Sequence, residues 1–216
     1  MISCGKSEID SYADDTTVTE VGRSIGEIET RLKQDCQDIS DWMKSNKLKM
    51  NPSKTHVLLM GTQNRLAQVN RSLEVQIDGE VVQSKSQSQS LLGCVISSNL
   101  KWGKHVASLR SKLAMRLSAL INLKHICPYP LRKTLAEGLF NSVVGYCLPV
   151  YGGMELGELR EIQVLQNKAA RLVCHAPPRS NRSDLFKQLG WLTINQMTWY
   201  YRLISLFNPT LRGVFL

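Results

Sequence analysis

Ser7-Glu8-Ile9-Asp10-Ser11-Tyr12-Ala13-Asp14-Asp15-Thr16-Thr17-Val18-Thr19, residues 7–19, is the stretch on which the reading of the chain turns. Tyr, Thr and Val favour the pleated backbone, so Ser7 to Ala13 predicts one strand and Thr16 to Thr19 its return. Asp14-Asp15 falls between them as a tight turn. The expected element is a hairpin with two carboxylates at its tip. Like charges at that separation repel unless a divalent cation lies between them, which makes Asp14 and Asp15 candidate metal ligands. Aspartates also favour turns through local hydrogen bonds, so the pair alone is a weak signal for metal chemistry and reads first as a structural turn.

Downstream, Val21, Ile25, Ile28, Leu32, Ile39 and Met43 recur at helical intervals with charged residues between them, predicting a long amphipathic helix. Asn51-Pro52 interrupts that pattern, and Lys54 to Met60 predicts a new strand ending at Gly61. Val75 and Ile77, then Asp78-Gly79, then Val81 predict a second hairpin, because Asp-Gly suits the positive φ values of a two-residue turn. A polar stretch from Gln83 to Ser90 leads into Leu91 to Ile96, an expected further strand. Beyond Trp102 helices dominate. Val106, Leu109, Leu113, Leu117 and Leu120 mark one that stops before Pro128, Leu131 to Leu148 a second, and Glu155 to Cys174 a third. Pro177-Pro178, Ser180, Asn181 and Ser183 form a linker to two terminal helices, where Trp191, Trp199, Tyr200, Tyr201 and Phe207 read as core packing. The fold class is α+β up to about Leu100 and all-helical after it.

The 216 residues carry 27 Lys+Arg against 18 Asp+Glu, a net charge of +9. The sign changes along the chain: up to Asp41 there are 4 basic and 10 acidic residues, and 23 and 8 thereafter, so −6 gives way to +15. A polyanion such as a phosphodiester backbone is the partner class this favours. The longest uncharged apolar run, Gly138 to Met154, contains Asn141, Pro149 and four glycines, a poor membrane span. Lys6, Glu8 and Asp10 argue against a secretory signal peptide. An intracellular location, nuclear or cytoplasmic and not secreted, is expected. The six cysteines are widely spaced without a CxxC pair and read as reduced thiols. His125 with Cys127, and Cys174 with His175, lack the spacing of a structural zinc site.

Tyr12-Ala13-Asp14-Asp15 resembles the YxDD-type motif of reverse transcriptases, most strongly those of non-LTR retrotransposons. The order of the downstream segments is similar too: a long helix with Trp42, then Asn51-Pro52-Ser53-Lys54-Thr55, then Leu92-Gly93-Cys94-Val95-Ile96 with Leu100-Lys101-Trp102 and His105. Tyr151-Gly152-Gly153 and Ile162-Gln163, Gln166-Asn167-Lys168-Ala169 and Arg171 resemble the helical region beyond, so the likeness covers nearly the whole chain.

The resemblance implies a partial polymerase palm over 1–100, a thumb-like helical region over 101–176 and a C-terminal helical segment over 177–216. It implies RNA-directed DNA synthesis in the complete protein, with RNA template, DNA primer and dNTPs as partners and Mg²⁺ as cofactor. Tyr12 would lie beside the primer terminus and incoming nucleotide, Asp14 and Asp15 in the metal centre, and Lys54 near the departing pyrophosphate. Lys104, Arg110, Lys112 and Arg116 would contact the template-primer backbone without reading sequence. Fingers and an earlier palm strand with a further metal-binding aspartate have no counterpart in the 10 residues before Ser11. An upstream palm and fingers segment is therefore expected to be missing, and the chain to be inactive alone. The alternatives are a non-catalytic basic nucleic-acid-binding module and a truncated helical interaction protein with exposed apolar surface.

Overall fold

The computed structural model describes residues 7–84, 86–153 and 156–207, with side chains from 159 onward in the last stretch. Cys4, the expected helix start at Glu155 and the tail of the terminal segment from 208 lie outside the described residues. The chain is α+β and divides into two compact units, Met1–Gln89 with Ser97–Leu100, and Ser90–Ile96 with Lys101–Leu216.

In the first unit, β1 (Glu8–Tyr12) pairs antiparallel with β2 (Asp15–Thr19). The register sets Ile9 opposite Val18 and Tyr12 opposite Asp15, leaving Ala13-Asp14 as the turn. The expected turn, Asp14-Asp15, is thus shifted by one: the apolar Ile9–Val18 pairing fixes the register, and Asp15 becomes the first residue of β2. Ala13 takes the left-handed conformation that a two-residue hairpin turn demands, φ 54°.

The long helix α1 (Ile25–Ser45) begins where Ser24 accepts a hydrogen bond from the Glu27 N–H and Glu27 accepts one from the Arg23 N–H. Val21 lies before it and is exposed, outside the stripe to which its spacing assigned it. The helix ends as Lys47 turns left-handed and the Leu48 N–H reaches back to the Met43 carbonyl at 2.8 Å.

After α1 the expected strand at Lys54 to Met60 is absent. Pro52–Lys54 forms one 3₁₀ turn capped by Asn51, and the residues after it join no ladder. β-Propensity needs an adjacent edge, and among the described residues this segment makes isolated bonds in place of a ladder, among them Leu59 N–H to Ser84 Oγ and, just beyond it, Gly61 N–H to the Ser98 carbonyl. A short helix α2 (Gln63–Ala67) leads to the second hairpin, β3 (Glu74–Ile77) and β4 (Glu80–Gln83). Its Asp78-Gly79 turn has φ 48° and 87°, as the dipeptide predicts. Val75 and Ile77 alternate inward and are buried with Leu73 and Ile39.

Polar bonds clamp that hairpin to α1 at both ends. Glu29 accepts a fork from Arg71 at 2.5 and 2.9 Å and the Glu74 N–H at 3.1 Å, while Asp78 accepts from Ser40 Oγ at 2.5 Å and pairs with Lys44 at 2.7 Å. The Lys44 ammonium, then the Ser40 hydroxyl, hold the Asp78 carboxyl below the usual carboxylate range.

The run Leu91 to Ile96, expected as one strand, is a hairpin: β5 (Ser88–Leu91) and β6 (Cys94–Ser97) flank a Leu92-Gly93 turn. Positive φ at both turn residues, 45° and 80°, reverses the chain inside the apolar run.

The second unit holds the larger core. Helix α3 (Gly103–Leu123) buries Val106, Leu109, Leu113, Leu117 and Leu120, the stripe its spacing predicts. The single helix expected from Leu131 to Leu148 is instead a series. α4 (Tyr129–Ala136) passes through a π-turn at Glu137–Asn141 into α5 (Ser142–Gly145); the chain breaks at Tyr146 and left-handed Cys147; α6 (Leu148–Tyr151) comes next. The break falls just before Pro149, which has no N–H to continue the helix. The π-turn is a docking point: Arg116 donates to its Leu139 carbonyl at 2.9 Å and Trp191 Nε1 to the Glu137 carboxylate at 3.0 Å.

Helix α7 (Leu156–Cys174) packs along α3, and its last turn is tied to α4 and the loop before it by Arg132 of α4, which donates to the Val173 and Cys127 carbonyls. α8 (Arg182–Leu189), capped by Asn181 and closed by left-handed Gly190, and α9 (Ile194–Phe207) complete the unit. The aromatic reading of this end is corrected in part. Trp191, Ile194 and Met197 are buried, but Trp199, Tyr200 and Phe207 are exposed, because α9 is covered along one side alone.

Candidate functional site

Antiparallel pairing places Glu8, Asp10 and Tyr12 on the same face of the first hairpin as Asp15, Thr17 and Thr19. Asp10 lies diagonal to Asp15 across the ladder. It was not among the residues expected at the site, although alternation counted back from Tyr12 puts it on this face. Tyr12 is 70% exposed, and Asp14 and Asp15 are also exposed. Among the described residues neither carboxylate has a hydrogen-bond or ion-pair partner. No three His, Cys, Asp or Glu side chains among the described residues converge as a ready-made metal cage. Adjacent exposed carboxylates nonetheless fit Mg²⁺, which usually takes one or two carboxylates and completes its shell with water and substrate phosphates.

Lys54 ends the 3₁₀ turn, exposed, and no hydrogen bond or ion pair joins it to the hairpin. The four α3 cations are not brought onto one face. Arg110 and Arg116 flank the buried stripe on opposite sides and already have partners: Arg110 pairs with Glu161 of α7 at 2.7 Å, and Arg116 holds the π-turn. Lys104 and Lys112 are exposed.

The remaining motifs build architecture. Leu92-Gly93 is the β5–β6 turn, and Tyr146 Oη donates to the Leu92 carbonyl at 2.5 Å. His105 reaches back to the same hairpin: its Nδ1 accepts the Val95 N–H at 3.2 Å, and its ring lies 4.8 Å from that of buried Tyr151. Burial first, then the Lys112 charge, holds His105 below the ordinary imidazole range. Cys94 in this hairpin is pushed up to about 12, by burial and then by the Cys147 thiol, which makes it a poor nucleophile. Gly152 and Gly153 admit α9: a Cβ on Gly152 would lie 2.5 Å from the Leu148 carbonyl and 2.6 Å from Thr198. Gln166, fully buried, donates to the Leu192 carbonyl at 3.0 Å and accepts from Gln163, whose own carbonyl takes the Ile194 N–H at 2.8 Å. These two glutamines fasten the chain entering α9, a role invisible without knowing what lies opposite α7.

An exposed acidic hairpin is followed by these motifs in this order, and over most of its length the chain is distantly similar to RNA-directed DNA polymerases of mobile elements. It is 23% identical over 194 residues to a probable RNA-directed DNA polymerase from transposon BS of Drosophila melanogaster, matching 88% of this chain and 21% of that protein. It is 24% identical over 185 residues to the RNA-directed DNA polymerase from mobile element jockey of the same organism, matching 84% of this chain and 19% of that protein. The chain spans about a fifth of the length of these curated relatives. No protein-family model and no solved structure matches it. Among the described residues no helix is long and apolar enough to cross a membrane.

Proposed function

We propose that the chain is the portion of a retrotransposon reverse transcriptase that carries the YxDD hairpin and the helical region beyond it, taking part in RNA-templated DNA synthesis within the complete polymerase and inactive alone. The observation that carries this reading is the hairpin: Asp14 and Asp15 stand open to solvent at a two-residue turn, with Tyr12 directly opposite Asp15. Asp14 and Asp15 would hold Mg²⁺, which when bound activates the attacking hydroxyl and neutralises charge on the leaving group. Tyr12, exposed on the Asp15 face, offers a ring for a nucleotide to stack against. Lys54 would supply a cation or proton to departing pyrophosphate once substrate is engaged. Lys112, exposed, would meet phosphates at the surface, and Lys104, Arg110 and Arg116 would do so on exchanging the contacts they hold.

Primer extension tests the proposal. The chain alone should give no product with RNA template, DNA primer, dNTPs and Mg²⁺. The polymerase completed by its upstream segment should extend, and Asp14→Asn or Asp15→Asn should abolish that extension. Full activity in both variants would overturn the role given to the hairpin. Salt-sensitive retention of an RNA–DNA duplex that survives both substitutions, with no extension by the completed protein, would instead identify the non-catalytic binding module.

A further inference from the structure

The covered side of α9 presents Ile194, Met197 and Thr198, all buried. Its other side is unusual for an exposed helix. Trp199 is 60% exposed, Leu203 49% and Phe207 79%, with Tyr200 and Leu206 also more than half exposed. Positions 199, 203 and 206, and 200, 203 and 207, match the three-and-four spacing of a helix–helix seam. The only charged residue of α9 is Arg202, and its guanidinium leans over Gly153 and the Pro149 carbonyl instead of this face.

The chemistry narrows what can cover such a face. A phosphodiester strand requires cations beside its stacking rings, and α9 places none on this face. A lipid surface is met by helices with Lys and Arg along the polar side, which α9 lacks. An apolar protein surface remains. With aromatic side chains of roughly 200 Å² each, the exposed fractions leave on the order of 500 Å² of apolar area, at the upper end of the largest patch on an ordinary monomer. Two such faces together reach about 1,000 Å², the lower bound of a specific interface.

The face is also complementary to itself. Leu203 lies midway between 199 and 207, so an antiparallel pair with its dyad at Leu203 sets Trp199 of one copy against Leu206 and Phe207 of the other, as an isologous contact requires. On a chain of net charge +9, an uncharged stripe is also where two copies approach with least repulsion. We infer that the outer face of α9 is a homodimer interface, weak and concentration-dependent, formed by the antiparallel apposition of two copies of this helix. This inference does not depend on the proposed polymerase role.

Sedimentation equilibrium of the whole chain from about 1 to about 200 µM tests it, a range that brackets the affinity such a small interface supports. Mass should rise from one chain to two and stop there. Leu203→Glu, at an exposed position, should weaken association at least 10-fold while leaving the helical circular dichroism and melting temperature unchanged. Leu131→Glu, at a similarly exposed leucine of α4, should leave association as it was. A mass of one chain throughout, a dimer indifferent to Leu203→Glu, or open-ended assembly beyond two would each overturn the inference. So would retention of a single-stranded oligonucleotide that is lost in Trp199→Ala.

Discussion

Gln166→Leu is the substitution that most directly probes what the second unit's polar motif does. The side chain is fully buried, donates to the Leu192 carbonyl at 3.0 Å and accepts from Gln163 at 3.0 Å. Leucine keeps most of the volume but strands the Leu192 carbonyl, and the Gln163 amide keeps only its bond to Asn167. A buried polar group left without a partner costs about 1–3 kcal/mol, and since Leu192 is partly exposed and Gln163 half-buried, the two together predict a loss of about 2 kcal/mol. In a helical unit of this size that lowers the melting temperature by on the order of 10 °C. Thermal and urea unfolding followed at 222 nm would measure it. A double-mutant cycle with Gln163→Ala should return a coupling of about 1 kcal/mol, since the two amides bond each other. A loss under about 0.5 kcal/mol, or additivity of the two changes, would refute the view that this motif is a fastener.

The same contacts carry other expectations. His105 is held below its ordinary range, so the folded state resists a proton that the unfolded chain accepts. Its contribution is present above about pH 6.5 and is lost as pH falls, by up to about 1.4 kcal/mol per pH unit. Urea midpoints at pH 7.5 and 5.5 should differ accordingly, and His105→Asn should flatten that part of the difference. Gly152→Ala should cost about 2 kcal/mol because its Cβ meets the Leu148 carbonyl, whereas Gly138→Ala, with open space around it, should be neutral or stabilising by melting temperature. If duplex binding uses the exposed cations, Lys104→Gln with Lys112→Gln should lower the slope of log K against log salt by about 1–2. Arg116→Gln should instead lower stability by about 1–3 kcal/mol, because it releases the Leu139 carbonyl.

Much of this fold was legible from one dimension. Helical spacing found the α3 stripe and the Asp-Gly pair found the β3–β4 turn, since both signals are local. The misreadings share a cause. Lys54 to Met60 has strand-forming residues but no neighbouring edge, Leu91 to Ile96 hides a reversal at Gly93, and the aromatics of α9 fall on both covered and open sides. Each depends on what stands opposite, which spacing along the chain does not encode. For the candidate site, the acidic pair and the alternation that sets Asp10 on the Tyr12 face are local signals, but the register that moves Asp15 into a strand emerges only from the Ile9–Val18 pairing. Arg110 and Arg116 have the charge of a phosphate contact, and charge does not reveal a partner already present.

The π-turn at Glu137–Asn141 makes chain length itself a constraint here. It holds one residue more than a regular turn, with the Ser142 N–H reaching the Glu137 carbonyl. Dropping a single residue from it would restore ordinary helical winding yet swing everything beyond by about 100° about the axis. Val144, Leu148 and Tyr151 would then rotate away from the interior, so an in-frame loss of one codon at this spot would injure the unit more than nearly any exchange of side chains in the same helix.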